Sequence, residues 1–378
     1  MTQPPIPLFD VRLTDDDLRA VEETLRSGWL TMGPRTAEFE ALFAEHLGAK
    51  HALATTNCTA ALHLAYLAAG VGPGDEVIVP GITFVASAAA VRYCGATPVL
   101  ADVVGPHDLS LDPADAERRI TDRTKAICVV HYGGYLGRVA ELERLCAERD
   151  LVLIEDSAHN PTVTPTGLAG CFSFFSNKVL GCGEGGLLAT DDDDVAETVR
   201  SLRSHAMTTG TWDRHRGHQL SYDVTGLGYN YRLDEPRAAL LISRLRGLDA
   251  DLRRRRALVH RYRELLADVD GLTIPYSDAE VESSSCYVMP LVLDDLELQA
   301  PLRELMRERW NVQTSLLYPS VSEFSAYRDA AGTLPKSERI ARTQVTIPLF
   351  PHLEEADQDR VVAAVREGLA ELSRSTVE

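Results

Sequence analysis

Lysine is scarce in this 378-residue sequence. Only four of its 38 lysine and arginine residues are lysines, at positions 50, 125, 178 and 336. Acidic residues outnumber the basic ones, and the formal net charge is −18. A surface of that sign repels phosphate backbones and anionic membranes. The composition therefore predicts no nucleic-acid and no membrane partner, although a small anionic ligand, which needs only a local group of donors, is compatible with it.

Long apolar runs and paired cysteines are also missing. No apolar stretch approaches the 18 residues of a membrane-spanning helix, and no basic segment followed by an apolar one opens the sequence. None of the seven cysteines belongs to a CxxC pair. We therefore expect neither a disulfide framework nor a zinc site, and no metal is predicted. Together these features predict a soluble, cytoplasmic protein.

Short apolar strands alternate with helical segments in the first half of the chain. EVIVP (76–80) and LVLIEDSAH (151–159) are typical of strands, and TAALHLAYLAAG (59–70) is typical of a helix. This alternation predicts an α/β fold with a mainly parallel sheet that helices cover on both faces. Ligands of such sheets bind beyond the carboxyl ends of the strands. Here those ends are residues 55–59, 80–84, 131 and 156–159.

The chain becomes polar after these units. Residues 191–230, which start with DDDD, predict a long loop. We interpret DDDD as a solvated turn, because no spaced acid or histidine completes a metal site. The arginine-rich segment 235–268 predicts one long helix that leads into a smaller domain. The expected division is a large domain at 1–245 and a small one at 246–378.

One of the four lysines ends an apolar stretch that predicts a buried strand. Lys178 closes CFSFFSNK, and Asp156 closes the apolar LVLIED. A buried carboxylate needs a cationic partner, and an uncharged lysine is a good nucleophile. Pyridoxal phosphate (PLP) uses both groups, since a lysine holds it covalently and an acid keeps its ring nitrogen protonated. Its phosphate favours the start of a helix rich in amide and hydroxyl groups. The groups available for this are Asn57, Cys58, Thr59 and Ser173.

Several longer segments resemble the DegT/DnrJ/EryC1/StrS aminotransferases, which make amino sugars and aminocyclitols. The resemblance covers nearly the whole chain. It implies fold type I of the PLP enzymes, with a large domain whose mainly parallel seven-stranded sheet lies between helices, and a smaller α+β C-terminal domain. The segments that carry it are residues 27–65, 77–103, LIEDSAHN (153–160), FSFFSNKVLGCGEGGLLAT (172–190) and GLGYNYRLDEPRAALLISRL (226–245).

The resemblance implies roles for individual residues. Lys178 corresponds to the lysine that holds PLP as a Schiff base, and Asp156 to the partner of the ring nitrogen. His159 corresponds to a position near the phenolic oxygen of PLP, and Phe84 to the aromatic residue that stacks on its ring. A homodimer with shared active sites is also implied, since one phosphate contact comes from the neighbouring subunit. The phosphate-contact positions are Cys58, Thr59, Ser173 and, from that neighbour, Asn230.

Four further residues are expected to face the substrate: Thr31, His131, Tyr318 and Ser322. His131 is included because it follows a strand that ends at the predicted site. Ser322 stands where the family commonly has the histidine of a Tyr-Pro-Pro-Leu-His segment, and this departure bears on the sugar-nucleotide preference. Cys58 stands where a glycine is usual, but its main-chain N–H can still contact a phosphate. The segment 208–222 matches no family pattern.

These residues predict a PLP-dependent aminotransferase. The expected amino donor is glutamate or glutamine, and the expected acceptor is a keto-sugar, nucleotide-linked in the first instance, or a keto-cyclitol. Such reactions belong to amino-sugar or antibiotic biosynthesis. One alternative is a PLP-dependent sugar dehydratase-like enzyme, but those relatives replace the lysine with histidine. The other is a non-catalytic ligand-binding or regulatory protein on the same fold, which has no need of a lysine that moves protons.

Overall fold

The structure is a computed structural model that describes residues 4–208, 221–330 and 332–375. Most of the segment 208–222, for which no family pattern was found, lies outside the described residues. In the described part of the chain, no helix is both long enough and apolar enough to cross a membrane.

A seven-stranded sheet forms the centre of the larger part of the molecule. In spatial order its strands run β1-β9-β8-β7-β6-β2-β3. β8, β7, β6, β2 and β3 are parallel, whereas β9 is antiparallel to both β1 and β8. The predicted α/β fold with a mainly parallel seven-stranded sheet is therefore confirmed. The strands are β1 (His51–Thr55), β2 (Glu76–Pro80), β3 (Thr97–Ala101), β6 (Thr124–Val130), β7 (Val152–Asp156), β8 (Ala169–Ser173) and β9 (Gly186–Thr190), and a small hairpin is formed by β4 (Val103–Gly105) and β5 (Asp108–Leu111).

Helices cover both faces of this sheet because its strands are apolar on both sides. On one face, α3, α4 and α7 pack against residues such as Val79, Cys128 and Leu188. On the other, α2, α5, α6 and α8 pack against alternating neighbours such as Ile127 and Leu187. The helices are α1 (Asp15–Ser27), α2 (Pro34–Leu47), α3 (Cys58–Ala68), α4 (Ala86–Tyr93), α5 (Pro113–Arg118), α6 (Val139–Arg149), α7 (Asp193–Leu202) and α8 (Glu235–Leu245).

Part of the predicted long loop is helical, so that prediction is wrong for residues 193–202. The Asp192 side chain accepts hydrogen bonds from the first amides of α7. The polar residues of this segment face solvent, while Val195 and Val199 are buried. Asp193 lies 2.5 Å from the amine of Lys50. The aspartate run is therefore a helix start that is paired with a surface lysine.

The predicted single helix over 235–268 is wrong as well. The chain forms two helices, α8 and α9 (Leu248–Leu266), with a break at Arg246 and Gly247. Gly247 has φ −94° and ψ −5°, and its N–H donates to the Arg244 carbonyl three residues back. Glycine is a poor helix former, which favours a break at this point. The domain boundary at 245/246, which stays a prediction, falls at this point.

The C-terminal part contains a three-stranded antiparallel sheet with helices around it. Its core is continuous with the N-terminal segment, because Ile6 pairs with Val312 and packs among C-terminal residues. Ile6, Leu8 and Phe9 thus pack against the C-terminal part. The elements are β10 (Leu272–Thr273), β11 (Met289–Leu293), β12 (Gln344–Ile347), α10 (Asp278–Ser283), α11 (Gln299–Trp310), α12 (Pro335–Thr343) and α13 (Glu355–Ser375).

Candidate active site

A cavity of about 540 Å³ lies where β7, β8 and the start of α3 meet the C-terminal part. Both strands end here, which is where ligands of parallel sheets bind. Nine of the predicted site residues line this cavity: Asn57, Cys58, Thr59, Phe84, Asp156, His159, Ser173, Lys178 and Tyr318.

Asp156 is the buried acid of the cavity. It is the last residue of β7, and only 4% of its surface is exposed. The Ser87 hydroxyl donates to Oδ2 at 2.7 Å, and the Ala158 N–H donates to Oδ1 at 3.1 Å. Burial raises the pKa of Asp156, and these two hydrogen bonds and the Lys178 charge oppose that rise. The side chain is therefore held in one orientation, with its carboxyl group at the cavity wall.

Lys178 lies in the turn that follows β8. Its main-chain N–H donates to the Phe175 carbonyl, and its side-chain amine lies 4.4 Å from the centre of the Tyr287 ring. Burial lowers the pKa of Lys178 to about 8, although Cys58 and Asp156 favour the charged form. A substantial fraction of this amine is thus neutral near pH 8, as a nucleophile or a proton acceptor requires.

His159 presents a defined hydrogen-bonding atom to the cavity. The Gly133 N–H can only donate, so at 3.1 Å the Nδ1 atom of His159 must accept. Burial, together with the charges of Lys178 and His131, lowers the pKa of His159 well below its usual value. The ring is therefore neutral with its proton on Nε2, which lies 3.0 Å from the Tyr318 hydroxyl. His159 is a hydrogen-bond donor on the cavity side.

The start of α3 supplies amide groups. The Asn57 side chain accepts from the Ala60 N–H, while the N–H groups of Cys58 and Thr59 lie in the first turn, where a helix has no carbonyl for them. Gly186 of β9 backs this turn closely, since a Cβ added to it would lie 2.2 Å from the main-chain carbon of Asn57. Close packing of a strand against the helix start fixes the position of these amides.

These groups fit PLP by their chemistry. The cavity combines an amine of lowered pKa, a buried carboxyl group, a neutral histidine donor and a helix start that favours a phosphate. Phe84 adds an aromatic side chain that is 54% exposed on the cavity rim. Each of these functions is one that the binding of PLP requires.

His131 does not lie where it was predicted. It is fully buried; its Nε2 lies 3.0 Å from Oε2 of Glu155, and its Nδ1 accepts from the Gly137 N–H. Glu155 precedes Asp156 in β7, and successive side chains of a strand point to opposite faces of the sheet. His131 therefore belongs to a buried polar group behind the site, and its predicted contact with substrate is contradicted.

The other three predicted residues are described but do not line the cavity. Thr31 is half-buried in the turn before α2. The Ser322 hydroxyl lies 2.7 Å from that of Ser320. Asn230 is exposed and pairs through its main chain with Ser204. An exposed Asn230 that does not line the cavity of its own chain is compatible with a contact to a partner subunit, which stays a prediction.

The sequence did not predict several of the residues that line the cavity. Asn177 and Glu184 flank Lys178, and their place in the chain could have suggested them. Tyr287, whose hydroxyl lies 3.0 Å from Asn177 Oδ1, comes from a distant segment without a recognisable motif. The same is true of Phe9, Ser315, Leu316 and Leu317.

Comparisons with known proteins agree with this geometry. The model of the DegT/DnrJ/EryC1/StrS aminotransferase family matches residues 11–366. The spore coat polysaccharide biosynthesis protein SpsC of Bacillus subtilis is 34% identical over 370 residues, which are 93% of this chain and 94% of SpsC.

Solved structures show the same similarity. The aminotransferase TlmJ from Streptoalloteichus hindustanus superposes with a TM-score of 0.91 and 35% identity, over 98% of this chain and 100% of TlmJ. NtdA from Bacillus subtilis, with the cofactor PMP bound, superposes with a TM-score of 0.85 and 26% identity, over 95% of this chain and 83% of NtdA. The chain belongs to the DegT/DnrJ/EryC1/StrS aminotransferase family, as its sequence motifs predicted.

Proposed function

We propose that this aminotransferase moves an amino group from glutamate or glutamine to a keto-sugar or a keto-cyclitol. The enzyme class and the cofactor, PLP, are those of its family. The observation that carries the proposal is the meeting of Lys178 and Asp156 in one cavity beside the start of α3. When bound, PLP supplies an electron sink for the charge left by a departing proton.

Three side chains divide the work at this site. Lys178 Nζ would take a proton from the substrate carbon and pass it to the cofactor, and its lowered pKa suits it to this transfer. Asp156 holds a proton at the ring nitrogen, and its hydrogen bonds with Ser87 and Ala158 keep it oriented. The Nε2–H of His159 would donate to the phenolic oxygen of the bound cofactor. The amides of Cys58 and Thr59 hold the phosphate.

The sugar or cyclitol acceptor is the part of the proposal that depends most on relatives. SpsC is named for spore coat polysaccharide biosynthesis, which supports a sugar substrate. We further propose that the sugar is nucleotide-linked, that the pathway makes amino sugars or antibiotics, and that the enzyme is a cytoplasmic homodimer whose Asn230 reaches the phosphate of the partner subunit.

The two alternatives conflict with the site. Dehydratase-like relatives have histidine in place of the lysine, whereas here Lys178 is present and its pKa is lowered. A protein that only bound a ligand would gain nothing from an amine of this reactivity. Both the lysine and its acid therefore favour a transaminase.

A screen of the two half-reactions tests the proposal. Glutamate or glutamine is added to the PLP form, and loss of the visible absorbance band is followed. The aminated form is then mixed in turn with keto-sugars, nucleotide-linked keto-sugars and keto-cyclitols. Return of the band with one acceptor class is expected. A band that no amino donor removes would contradict the proposed function.

A further inference from the structure

A second cavity, of about 390 Å³, adjoins the first. The two share Phe9, Asn177 and Lys178 as lining residues, so the lysine of the first cavity also lines the second. Its far side is formed by α8 and α9 and by the segment 350–352. We call this second cavity the arginine cavity. Three of its lining residues on the two helices are arginines: Arg244, Arg254 and Arg255.

These three arginines are bound by main-chain carbonyls rather than by acids. Arg244 donates to Gly181 O, and Arg254 donates to the carbonyls of Pro351 and Leu353. Arg255 Nη1 lies 3.3 to 3.5 Å from three carbonyl oxygens, those of Cys286, Tyr287 and Leu349. Within the described residues, no carboxylate lies at ion-pair distance from any of the three. Although the net charge of the protein is −18, these three arginines therefore form no ion pair with any described carboxylate.

Arg255 is the most constrained of the three. Only 5% of its surface is exposed, and its Nε has no hydrogen-bond partner in the part of the chain that the structure describes. Burial lowers the pKa of Arg255 to about 10, although Asp251 favours the charged form. A buried guanidinium with an unused donor is costly unless an anion completes its contacts.

Acidic groups in the arginine cavity do not cancel its charge. Asp10 lies 3.3 Å from the exposed Arg12 and 2.6 Å from His352. Asp251 is the other carboxylate of the lining, one turn before Arg255 on α9. Among the described residues, the lining thus combines three arginines with one carboxylate that is not in an ion pair, so the cavity keeps a net positive charge that suits a small anion.

Tyr287 links this charge to the reactive amine. Its ring lies 4.4 Å from Lys178 Nζ, and its carbonyl accepts from Arg255 Nη1 at 3.5 Å. A carboxylate bound by Arg255 would therefore lie in a cavity that Lys178 also lines. An amino acid carries its carboxylate next to its amine, and the planar guanidinium matches a carboxylate well.

We propose that the arginine cavity is the subsite for a carboxylate of the amino-acid donor, held by Arg255 and Arg254. The proposal rests on the proposed transaminase function. It assigns the amino donor and the keto acceptor to different sets of contacts, because a keto-sugar has no carboxylate for these arginines.

Glutarate is a suitable probe because it has both carboxylates of glutamate but no amine, and it therefore binds without reacting. We expect calorimetric titration of the PLP-loaded enzyme to show glutarate binding. Arg255→Met and Arg254→Met should each weaken that binding at least tenfold. Inorganic pyrophosphate, titrated in parallel, tests whether the cavity instead selects a phosphate group.

Arg253→Met is the matched control, since Arg253 lies on the same helix but is exposed and outside the cavity. It should leave glutarate affinity within twofold of wild type. If Arg255→Met does not fold, the half-buried Arg254 carries the test alone. The proposal is overturned if wild type binds no glutarate, if pyrophosphate binds more tightly than glutarate, or if the Arg254 and Arg253 variants behave alike. Glutarate binding by an enzyme that no amino donor converts would contradict only the proposed function.

Discussion

The reactivity of Lys178 follows from the surroundings of its amine. The amine faces an aromatic ring and a partly closed cavity, and burial lowers its pKa from 10.5 to about 8. Only the neutral amine can attack the aldehyde of PLP. The acid Asp156 shares the cavity, which favours the charged amine, but burial is the larger influence.

Cofactor uptake should therefore depend on pH in a specific way. With the cofactor-free protein, we expect the rate of PLP uptake to rise about tenfold per pH unit below pH 8, because each unit raises the neutral fraction of the amine tenfold. Above about pH 8 the rate should level off. Stopped-flow absorbance measures the rate of PLP uptake. A rate that keeps rising to pH 10 would show that the pKa of Lys178 is that of an ordinary lysine.

Asp156 and Glu155 are adjacent acids with different roles, and substituting each in turn distinguishes the role in catalysis from the role in stability. Asp156→Asn should keep the fold but slow the half-reaction with amino donor at least a hundredfold, since each ~1.4 kcal/mol lost in the transition state is a factor of ten. Absorbance of the bound cofactor and stopped-flow rates check this. Activity within a few-fold of wild type would remove Asp156 from its role.

Glu155→Gln is the matched control. Burial alone would raise the pKa of Glu155, but bonds from His131 and from the amides of Thr166 and Gly167 hold it below its usual value. Losing this buried charge should destabilise the fold by about 3 kcal/mol, measured by urea unfolding. Cofactor binding at low temperature should change little.

Sequence reasoning was most successful where chemistry and chain position coincide. Asp156 ends the apolar strand β7, Lys178 lies in the turn after the apolar strand β8, and both line the cavity. His131 also ends a strand, but the sequence does not show to which face of the sheet its side chain turns. Tyr287 could not be predicted, because only the tertiary structure brings the residues that precede β11 close to Lys178.

At the scale of elements, the contact between β9 and α3 positions the phosphate-binding amides. An alanine at Gly186 would place its Cβ 2.2 Å from main-chain atoms of Asn57, which cannot move aside as a flexible side chain would. Gly186→Ala should displace the start of α3 and weaken PLP binding at least tenfold. Titration of the cofactor-free protein with PLP measures the affinity.

Gly72→Ala serves as the control for this substitution. A Cβ at Gly72 would meet no atom within 4 Å, so its PLP affinity should equal that of wild type. Equal affinities for all three proteins would show that this packing does not position the site.

Helices and strands were predicted correctly where the apolar pattern had clear limits. The prediction was wrong where a helical pattern continued without an evident interruption. The strand 76–80 was predicted with the bounds it has in β2. The segment 235–268 reads as unbroken helix, yet Gly247 interrupts it. A single glycine lowers helix propensity by only about 1 kcal/mol, so whether it breaks a helix depends on packing that the sequence does not show.

At the scale of the whole molecule, the open question is whether two chains share each site. Asn230 is exposed and does not line the cavity of its own chain. If it contacts the phosphate of the partner subunit, mixing Asn230→Ala and Lys178→Ala chains makes heterodimers with one intact site and one doubly altered site. Activity should rise toward half of wild type per heterodimer.

A role for Asn230 within its own chain gives a different result, since each heterodimer site then keeps one lesion. Tagged chains confirm that subunits exchange. No recovery in confirmed heterodimers, with Asn230→Ala inactive by itself, would remove the shared-site proposal.

The central claim is that Lys178 is the reacting amine of a PLP site. Borohydride makes the bond between a lysine and PLP permanent, so reduction of the loaded enzyme followed by peptide mapping identifies the lysine directly. We predict a single labelled peptide containing Lys178 and no label in folded Lys178→Ala. Label on Lys50, Lys125 or Lys336 in the wild-type enzyme, with Lys178 unmodified, would contradict the account.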